Sequence, residues 1–224
     1  LNAAVSGDTN AICDDDRTPD YTYPSCGGIA ENGCSWTQCS VDDVAFSAAL
    51  VQEVSANVCI DSDRVYAVGG SNGGMFVWDL GRDERSAEVF RAVAPILGLP
   101  HPGYLDPPVS ESGRPVISIT GSRDRTVPPG EWGQDNFTTT SDGDVYYYSS
   151  ASAITKVWAE AHGCDATVPA EPVDIGSSSM ECRGWSYCLS DSQWPPVMDC
   201  RGNMGHVYNL SSSWPLILDF FEQL

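Results

Sequence analysis

From residue 40 onward, short apolar runs alternate with stretches in which apolar residues recur at helical spacing. Runs of apolar, largely β-branched residues predict four buried strands, at Arg64–Val68, Arg91–Leu97, Arg114–Thr120 and Pro195–Asp199. The remaining periodic stretches predict helices at Ser40–Asn57, from the turn after the first strand to about Glu88, at Ser150–His162 and at Trp214–Leu224. Because strands and helices alternate, we expect an α/β fold with a mostly parallel sheet and helices on both faces.

The first 38 residues have a different composition from the rest of the chain. They are rich in Asp, Asn, Gly, Pro, Cys and Ser, and they contain no apolar run that predicts a strand. We expect residues 1–38 to form an irregular, disulfide-held segment of the same domain, and residues 39–224 to form the α/β domain. A length of 224 residues, with no internal repeat, favours one domain.

A single serine stands in a glycine-crowded turn between the first predicted strand and the helix after it. The turn reads Gly69-Gly70-Ser71-Asn72-Gly73, and we expect Gly69 and Gly73 to be required because a side chain at either would block so tight a turn. Such a turn lifts the Ser71 hydroxyl above the sheet edge and aims the backbone N–H of Asn72 at the same point. The pattern also arises by chance in a glycine-rich chain, but a strand before it and a helix after it favour a nucleophile.

Two further candidates follow the last two predicted parallel strands. Asp124 comes just after the strand that ends at Thr120, and His206 comes after the strand that ends at Asp199. Since the carboxyl ends of parallel strands meet at one edge, we expect Ser71, Asp124 and His206 to lie together. His206 would accept the Ser71 proton, and Asp124 would fix the imidazole tautomer. Taken singly, Asp124 would be interpreted first as an ordinary ion-pairing loop residue and His206 as an exposed loop histidine, and it is their joint placement that favours a catalytic role.

The charge balance is strongly acidic, with 31 acidic residues against 11 basic ones and a net charge of −20. This argues against nucleic acid or an anionic membrane as a partner, because both would be repelled. It fits either a neutral or polymeric substrate or simple solubility in a salty or acidic medium, and we prefer solubility for most of the charge. No apolar run is long enough to span a membrane.

Nine cysteines indicate an extracellular, disulfide-bonded protein. Two N-glycosylation sequons, at Asn136 and Asn209, agree with export.

No cysteine pair has metal-ligand spacing completed by histidines, so we expect neither a metal nor a cofactor. His101 and His162 lack strand-end placement, and we expect both to be structural. We predict two bridges among the four late cysteines, with the pairing open because four cysteines allow three arrangements: Cys164, Cys182, Cys188 and Cys200.

Several short motifs lie along the chain: Asp43–Phe46, Cys59–Asp61 leading to Arg64–Tyr66, Gly70–Met75, Ala92–Pro95, Gly121–Pro128, Trp158 before His162–Cys164, and Gly205-His206. In combination they resemble the motifs of secreted feruloyl esterases and polyhydroxybutyrate depolymerases. The resemblance covers roughly residues 34–224 and implies an α/β-hydrolase fold. It also implies a cofactor-free serine esterase with Ser71, Asp124 and His206 as its triad. That family hydrolyses feruloyl or acetyl esters on plant polysaccharide, or aliphatic polyesters.

One part of the family pattern is absent from the sequence. Such enzymes carry early strands and a His-Gly loop that supplies a second oxyanion donor, and losing one donor costs roughly 2.7–4 kcal/mol of transition-state stabilisation. The chain has no apolar strand before residue 40, and Gly27-Gly28 is a poor substitute. We therefore expect the chain to be an amino-terminally truncated part of a longer protein that carries the missing strands. The absence of a leader fits either its removal by processing or a sequence that starts part-way through its gene.

Three functions remain open from the sequence. The leading one is a secreted carboxylic-ester hydrolase, in which the Asn72 N–H would hold the oxyanion. The others are a non-catalytic secreted binding module that keeps the fold, and a serine peptidase of the same fold. Most tryptophans are expected to pack in the core, but Trp132 or Trp194 is a candidate to line an acyl pocket.

Overall fold

The computed structural model describes residues 21–22, 35–36, 42–101, 113–130, 136–139, 145–176, 178–185, 188 and 194–224. These residues form an α/β structure, as predicted, in which helices pack on a mixed, mostly parallel sheet. Most of the segment 1–38, including Gly27-Gly28, lies outside the described residues, and so does Ser40.

The elements are numbered in chain order. The strands are β1 (Tyr21–Thr22), β2 (Ser35–Trp36), β3 (Tyr66–Gly70), β4 (Ala92–Ile96), β5 (Val116–Gly121), β6 (Phe137–Thr139), β7 (Val145–Tyr147), β8 (Glu171–Pro172), β9 (Met180–Gly184) and β10 (Val197–Gly202). The α-helices are α1 (Asp43–Asn57), α2 (Asn72–Arg82), α3 (Glu84–Ala87), α4 (Ala151–Ala161) and α5 (Leu210–Glu222), and a 3₁₀ turn spans Ser62–Arg64.

The main sheet has six strands in the order β3-β4-β5-β10-β9-β8. Strands β3, β4, β5 and β10 are parallel, whereas β9 and β8 run antiparallel to their neighbours. The first four strands therefore all place their carboxyl ends at one edge of the sheet. Strand pairs β1-β2 and β6-β7 form separate two-stranded ladders.

One face of the sheet packs against α2 and α4. Val93, Val116 and Val197 are register neighbours across β4, β5 and β10, and all three are fully buried in this layer. Trp78 of α2 and Trp158 of α4 meet edge to face over it, with ring centroids 4.8 Å apart. Each indole N–H donates to a backbone carbonyl, so these large rings are buried without an unsatisfied donor.

The opposite face packs against α5. Ile117, Ile119 and Met198 of the sheet contribute to the same buried cluster as Ile217 and Phe220 of the helix. At the edge strand β3, the Tyr66 ring stacks on Phe221 at 4.2 Å and its hydroxyl donates to the Phe221 carbonyl over 3.1 Å. These contacts fix α5 over the sheet, and α5 begins four residues after His206.

Element boundaries differ from the predicted ones in ways that have local causes. Helix α1 begins at Asp43, because the Asp42 side chain accepts the Ala45 N–H and so caps the helix. The predicted strand 64–68 lies at Tyr66–Gly70, and the helix expected to reach Glu88 is broken at Asp83, which caps α3. Helix α5 begins at Leu210 rather than Trp214, so that Pro215 lies inside it.

No helix among the described residues is both long and apolar enough to cross a bilayer. Nor does that part of the chain hold a group of three or more His, Cys, Asp or Glu side chains arranged for a metal ion.

Candidate active site

Ser71 occupies a strained turn between β3 and α2. Its backbone has φ 53° and ψ −121°, a conformation that a non-glycine residue rarely adopts and that costs of order 1–3 kcal/mol. Its N–H donates to the Ile96 carbonyl over 2.8 Å, and its carbonyl accepts the Met75 N–H over 3.0 Å. Ser71 stands at the N-cap of α2 without a side-chain capping bond, so its hydroxyl is available for another partner.

Close backbone approach makes only one of the two glycines predicted for this turn necessary. A Cβ atom at Gly69 would stand 2.3 Å from the carbonyl oxygen of Gly73, which confirms the prediction for Gly69. A Cβ at Gly73 would meet nothing within 4 Å, so the prediction that Gly73 must lack a side chain is wrong. The carbonyl of Gly73 forms the close contact with Gly69, but a side chain at position 73 would point into open space.

Ser71, Asp124 and His206 are brought together in one hydrogen-bonded chain. His206 Nε2 lies 3.0 Å from Ser71 Oγ, and His206 Nδ1 lies 2.7 Å from Asp124 Oδ2. An ionised carboxylate only accepts, so Nδ1 carries the proton and Nε2 is left as an acceptor towards the serine hydroxyl. The side chain of Asp124 is fully buried, and that of His206 is 22% exposed. The arrangement can move a proton from Ser71 to His206.

The carboxylate of Asp124 is held by its own loop. Its Oδ1 accepts the N–H groups of Thr126 and Val127 over 2.8 and 3.0 Å, while Oδ2 faces the histidine. Arg123 instead turns its guanidinium to the carbonyl of Asn203, 2.8 Å away. Within the described residues, then, Asp124 pairs with His206 and with neither flanking arginine.

Backbone contacts join the Asp124 loop to the His206 loop. The N–H groups of Ser122 and Arg123 donate to the carbonyls of Gly202 and Met204 over 2.8 and 2.9 Å. Gly121 permits this approach, because a Cβ there would stand 2.5 Å from the Met204 oxygen. The two loops are thus one unit, and the spacing of Asp124 and His206 follows from the pairing of β5 with β10.

Asn72 is the first residue of α2. The N–H groups of a first helical turn point out of the helix towards its start and carry partial positive charge. This places the Asn72 N–H beside Ser71, where the sequence predicts an oxyanion donor.

Of the two tryptophans predicted as candidates to line an acyl pocket, the structure describes only Trp194. Trp132 lies outside the described residues. Trp194 precedes β10, is partly buried against the α5 layer, and donates its backbone N–H to the Gln223 side chain over 3.1 Å. Trp194 therefore lies near the amino end of β10, whereas His206 follows the carboxyl end. The six residues of β10 span about 20 Å, at roughly 3.3 Å per residue. This placement argues against a role for Trp194 in an acyl pocket beside Ser71.

Exposed apolar side chains that the sequence analysis missed follow His206, and one of them lies against Gly70, the residue before Ser71. The ring of Tyr208 lies so close to Gly70 that a Cβ on that glycine would stand 2.2 Å from Tyr208 Cε1. Val207, Tyr208 and Leu210 are 65%, 48% and 54% exposed. A signal was present in the sequence, because residues 202–218 contain no charged side chain although 19% of the whole chain is charged.

The other two histidines occupy positions that suit the structural role predicted for them. His101 is buried, stacks on Tyr148 at 5.0 Å and hydrogen-bonds through Nδ1 to the Tyr147 carbonyl. Burial lowers the pKa of His101 to about 4. His162 caps the end of α4, and burial lowers its pKa as well.

The four late cysteines form two disulfides, as predicted, with the pairs Cys164–Cys188 and Cys182–Cys200. Cys182 and Cys200 face each other across β9 and β10 as register partners. This bridge ties the strand that leads to His206 to its antiparallel neighbour. Cys59 is exposed and forms no disulfide within the described part of the chain.

Comparison of the chain with models of known protein families finds no match. A search of curated protein sequences likewise finds none that matches.

Proposed function

We propose that this chain is a secreted serine carboxylic-ester hydrolase of the α/β-hydrolase type. The observation that carries the proposal is the Ser71–His206–Asp124 chain of hydrogen bonds, built on a strained strand–turn–helix serine at the carboxyl edge of a parallel sheet. Two disulfides support an extracellular location, because such bonds persist in oxidising compartments.

The mechanism follows from the proton path. Ser71 Oγ attacks the ester carbonyl carbon while its proton passes to His206 Nε2, and Asp124 stabilises the resulting imidazolium. The Asn72 N–H donates to the oxyanion of the tetrahedral intermediate. As the C–O bond to the alcohol breaks, His206 returns the proton to the departing alkoxide. Water, deprotonated by His206, then attacks the acyl-serine carbonyl carbon. As the bond to Ser71 Oγ breaks, His206 returns the proton to that oxygen and the carboxylic acid is released.

The surroundings of Ser71 favour a neutral ester. The Tyr208 ring lies against Gly70, the residue before the nucleophile. Val207, Tyr208 and Leu210 expose apolar side chains, and the segment 202–218 that contains them carries no Asp, Glu, Lys or Arg. Exposed apolar patches beside a reactive group suit a substrate with an apolar portion. The substrates that we propose are feruloyl or acetyl esters on polysaccharide, or a polyhydroxyalkanoate-type polyester.

Turnover of p-nitrophenyl esters by purified protein tests the proposal. Ser71→Ala should remove activity by about 10⁴-fold or more, while Ser62→Ala, on an exposed turn at the opposite sheet edge, should retain it. His206→Gln should be inactive, and His162→Gln should keep its activity. Labelling of Ser71 by a fluorophosphonate gives a second readout that does not depend on the substrate. Wild-type protein that neither turned over esters nor reacted with the fluorophosphonate would overturn the assignment.

A further inference from the structure

A buried ion pair lies on β10, the strand that leads to His206. Arg201 Nη2 lies 2.9 Å from Asp199 Oδ2, and both side chains are only 2% exposed. The residues are two apart on one strand, so their side chains stand on the same face of the sheet. Removing two charges from water costs free energy that their attraction often fails to offset, so such a pair is weak support for stability. A role in holding a specific geometry accounts for it better.

The guanidinium of Arg201 also reaches the loop that carries Asp124. Its Nη1 donates to the Gly130 carbonyl over 2.9 Å. Gly130 lies six residues after Asp124 in the same loop, and it adopts φ +63° where a Cβ would stand 2.7 Å from Asn136 Cβ. Just before it, the Pro129 carbonyl accepts the Ala151 N–H at the start of α4 over 2.8 Å. The hydrogen bond from Arg201 therefore holds the carboxyl-terminal end of the loop that carries Asp124.

Arg201 thus links the two halves of the charge-relay geometry. Its backbone belongs to β10, the strand that leads to His206, and its side chain hydrogen-bonds to the loop that carries Asp124. We propose that Arg201 is a positioning residue that holds Asp124 at hydrogen-bond distance from His206, with Asp199 orienting the guanidinium. Its effect on ester hydrolysis rests on the proposed function, but the geometry it controls does not.

The arrangement requires arginine in particular. The guanidinium directs Nη2 and Nε towards Asp199 while Nη1 points to the Gly130 carbonyl. A lysine carries one nitrogen on a flexible stem and cannot hold these two acceptors in a fixed fork. Arg201→Lys therefore keeps the charge but releases one contact.

The test compares three variants by kinetics and thermal unfolding. We expect Arg201→Lys to lower kcat for a p-nitrophenyl ester about 10-fold and Arg201→Met up to about 100-fold, with KM changed less than about twofold, because misplacement by about 1 Å costs on that scale. The double variant Asp199→Leu/Arg201→Met replaces both charges with apolar side chains and should recover thermal stability. It should not recover kcat, because the contact with Gly130 is still missing.

A structural role alone predicts the opposite: kcat would return together with Tm in the double variant, or Arg201→Lys would match the wild type. Either result overturns the inference. The low-field proton resonance of His206 Nδ1 provides the readout that does not need catalysis. It should shift or broaden in Arg201→Lys and stay unchanged in Arg85→Lys, the same change at an exposed arginine that pairs with Asp42 and Asp83. An unchanged resonance in Arg201→Lys would also overturn the inference, whereas an absence of ester turnover in the wild type would count only against the proposed function.

Discussion

Gly98 lies directly against the peptide of Ser71. A Cβ atom at position 98 would stand 2.3 Å from the Ser71 carbonyl oxygen and 2.8 Å from Gly74 Cα. That carbonyl is the one that accepts the Met75 N–H and so starts α2. The loop after β4 therefore fixes the position of the serine turn. Gly98, which allows this contact, lies 27 positions after Ser71 in the sequence.

Gly98→Ala should consequently displace Ser71. We expect a loss of about 1–3 kcal/mol of unfolding free energy from overpacking, and a fall in esterase kcat of about 100-fold or more. Gly73→Ala is the matched control, because a Cβ there meets nothing within 4 Å and alanine favours a helix. Urea unfolding and ester turnover of both variants measure the two effects. Equal behaviour of the two variants would show that the clash at position 98 is relieved at no cost.

Asp124→Asn isolates the tautomer that the carboxylate enforces. The amide oxygen can still accept the N–H groups of Thr126 and Val127, so the loop should stay folded. The amide NH₂ then faces His206 Nδ1, which must become an acceptor and leave the proton on Nε2. Activity should fall by up to about 10⁴-fold with Tm nearly unchanged, as measured by ester turnover and thermal unfolding. Full activity in this variant would contradict the role given to Asp124.

The parallel part of the fold could be predicted from the sequence, because β4 and β5 are largely apolar runs and the other parallel strands begin with apolar residues. Strands β4 and β5 are buried at every residue and lie close to their predicted positions. The order and strand-end placement of Ser71, Asp124 and His206 predicted that they would meet, and they do. Strand β9 was missed, although its residues alternate between buried and more exposed positions as a half-buried strand does. It carries two charged residues and a cysteine in five positions, which hid the alternation.

The supporting contacts of the site could not be predicted, because they depend on which backbones come close in space. Nothing local marks Gly98 or Gly121 as necessary and Gly73 as dispensable. Likewise, Arg201 and Asp199 look like solvent-facing charges in the sequence, whereas the pairing of β10 between β5 and β9 buries them. Distance and direction to a neighbour decide these roles, and both are set by the tertiary fold.

The two disulfides should differ from Cys59 in their response to thiol reagents. Cys182 and Cys200 are buried between neighbouring strands, so we expect neither to be modified without denaturant and reductant. Cys59 is exposed and should react at once. Replacing Cys182 and Cys200 together by alanine should lower the unfolding free energy by about 3 kcal/mol, the loop-closure value for 18 residues. Mass spectrometry after alkylation checks the first statement, and denaturant unfolding the second. Alkylation of Cys182 in native, unreduced protein would contradict the assignment.

Acid should destabilise the protein partly through His101. Burial lowers the pKa of this imidazole from its ordinary value of 6.5 to about 4, so the folded state keeps it neutral when the unfolded chain has already bound a proton. The stabilising contribution is complete above pH 6.5 and is lost as the pH falls from 6.5 to 4. A difference of this size corresponds to roughly 3 kcal/mol at most.

The effect is measured by comparing denaturant unfolding of the wild type and His101→Asn at several pH values between 8 and 3. The asparagine amide can still donate to the Tyr147 carbonyl but does not titrate, so the variant should lose less stability than the wild type between pH 6.5 and 4. Tyr148→Leu is the matched control, because it removes the stacked ring at 5.0 Å and leaves the imidazole in place. It should weaken the fold at every pH while keeping the wild-type slope. Parallel curves for wild type and His101→Asn would mean that the burial of His101 contributes nothing to acid sensitivity, and the loss would then belong to His162 and the carboxylates.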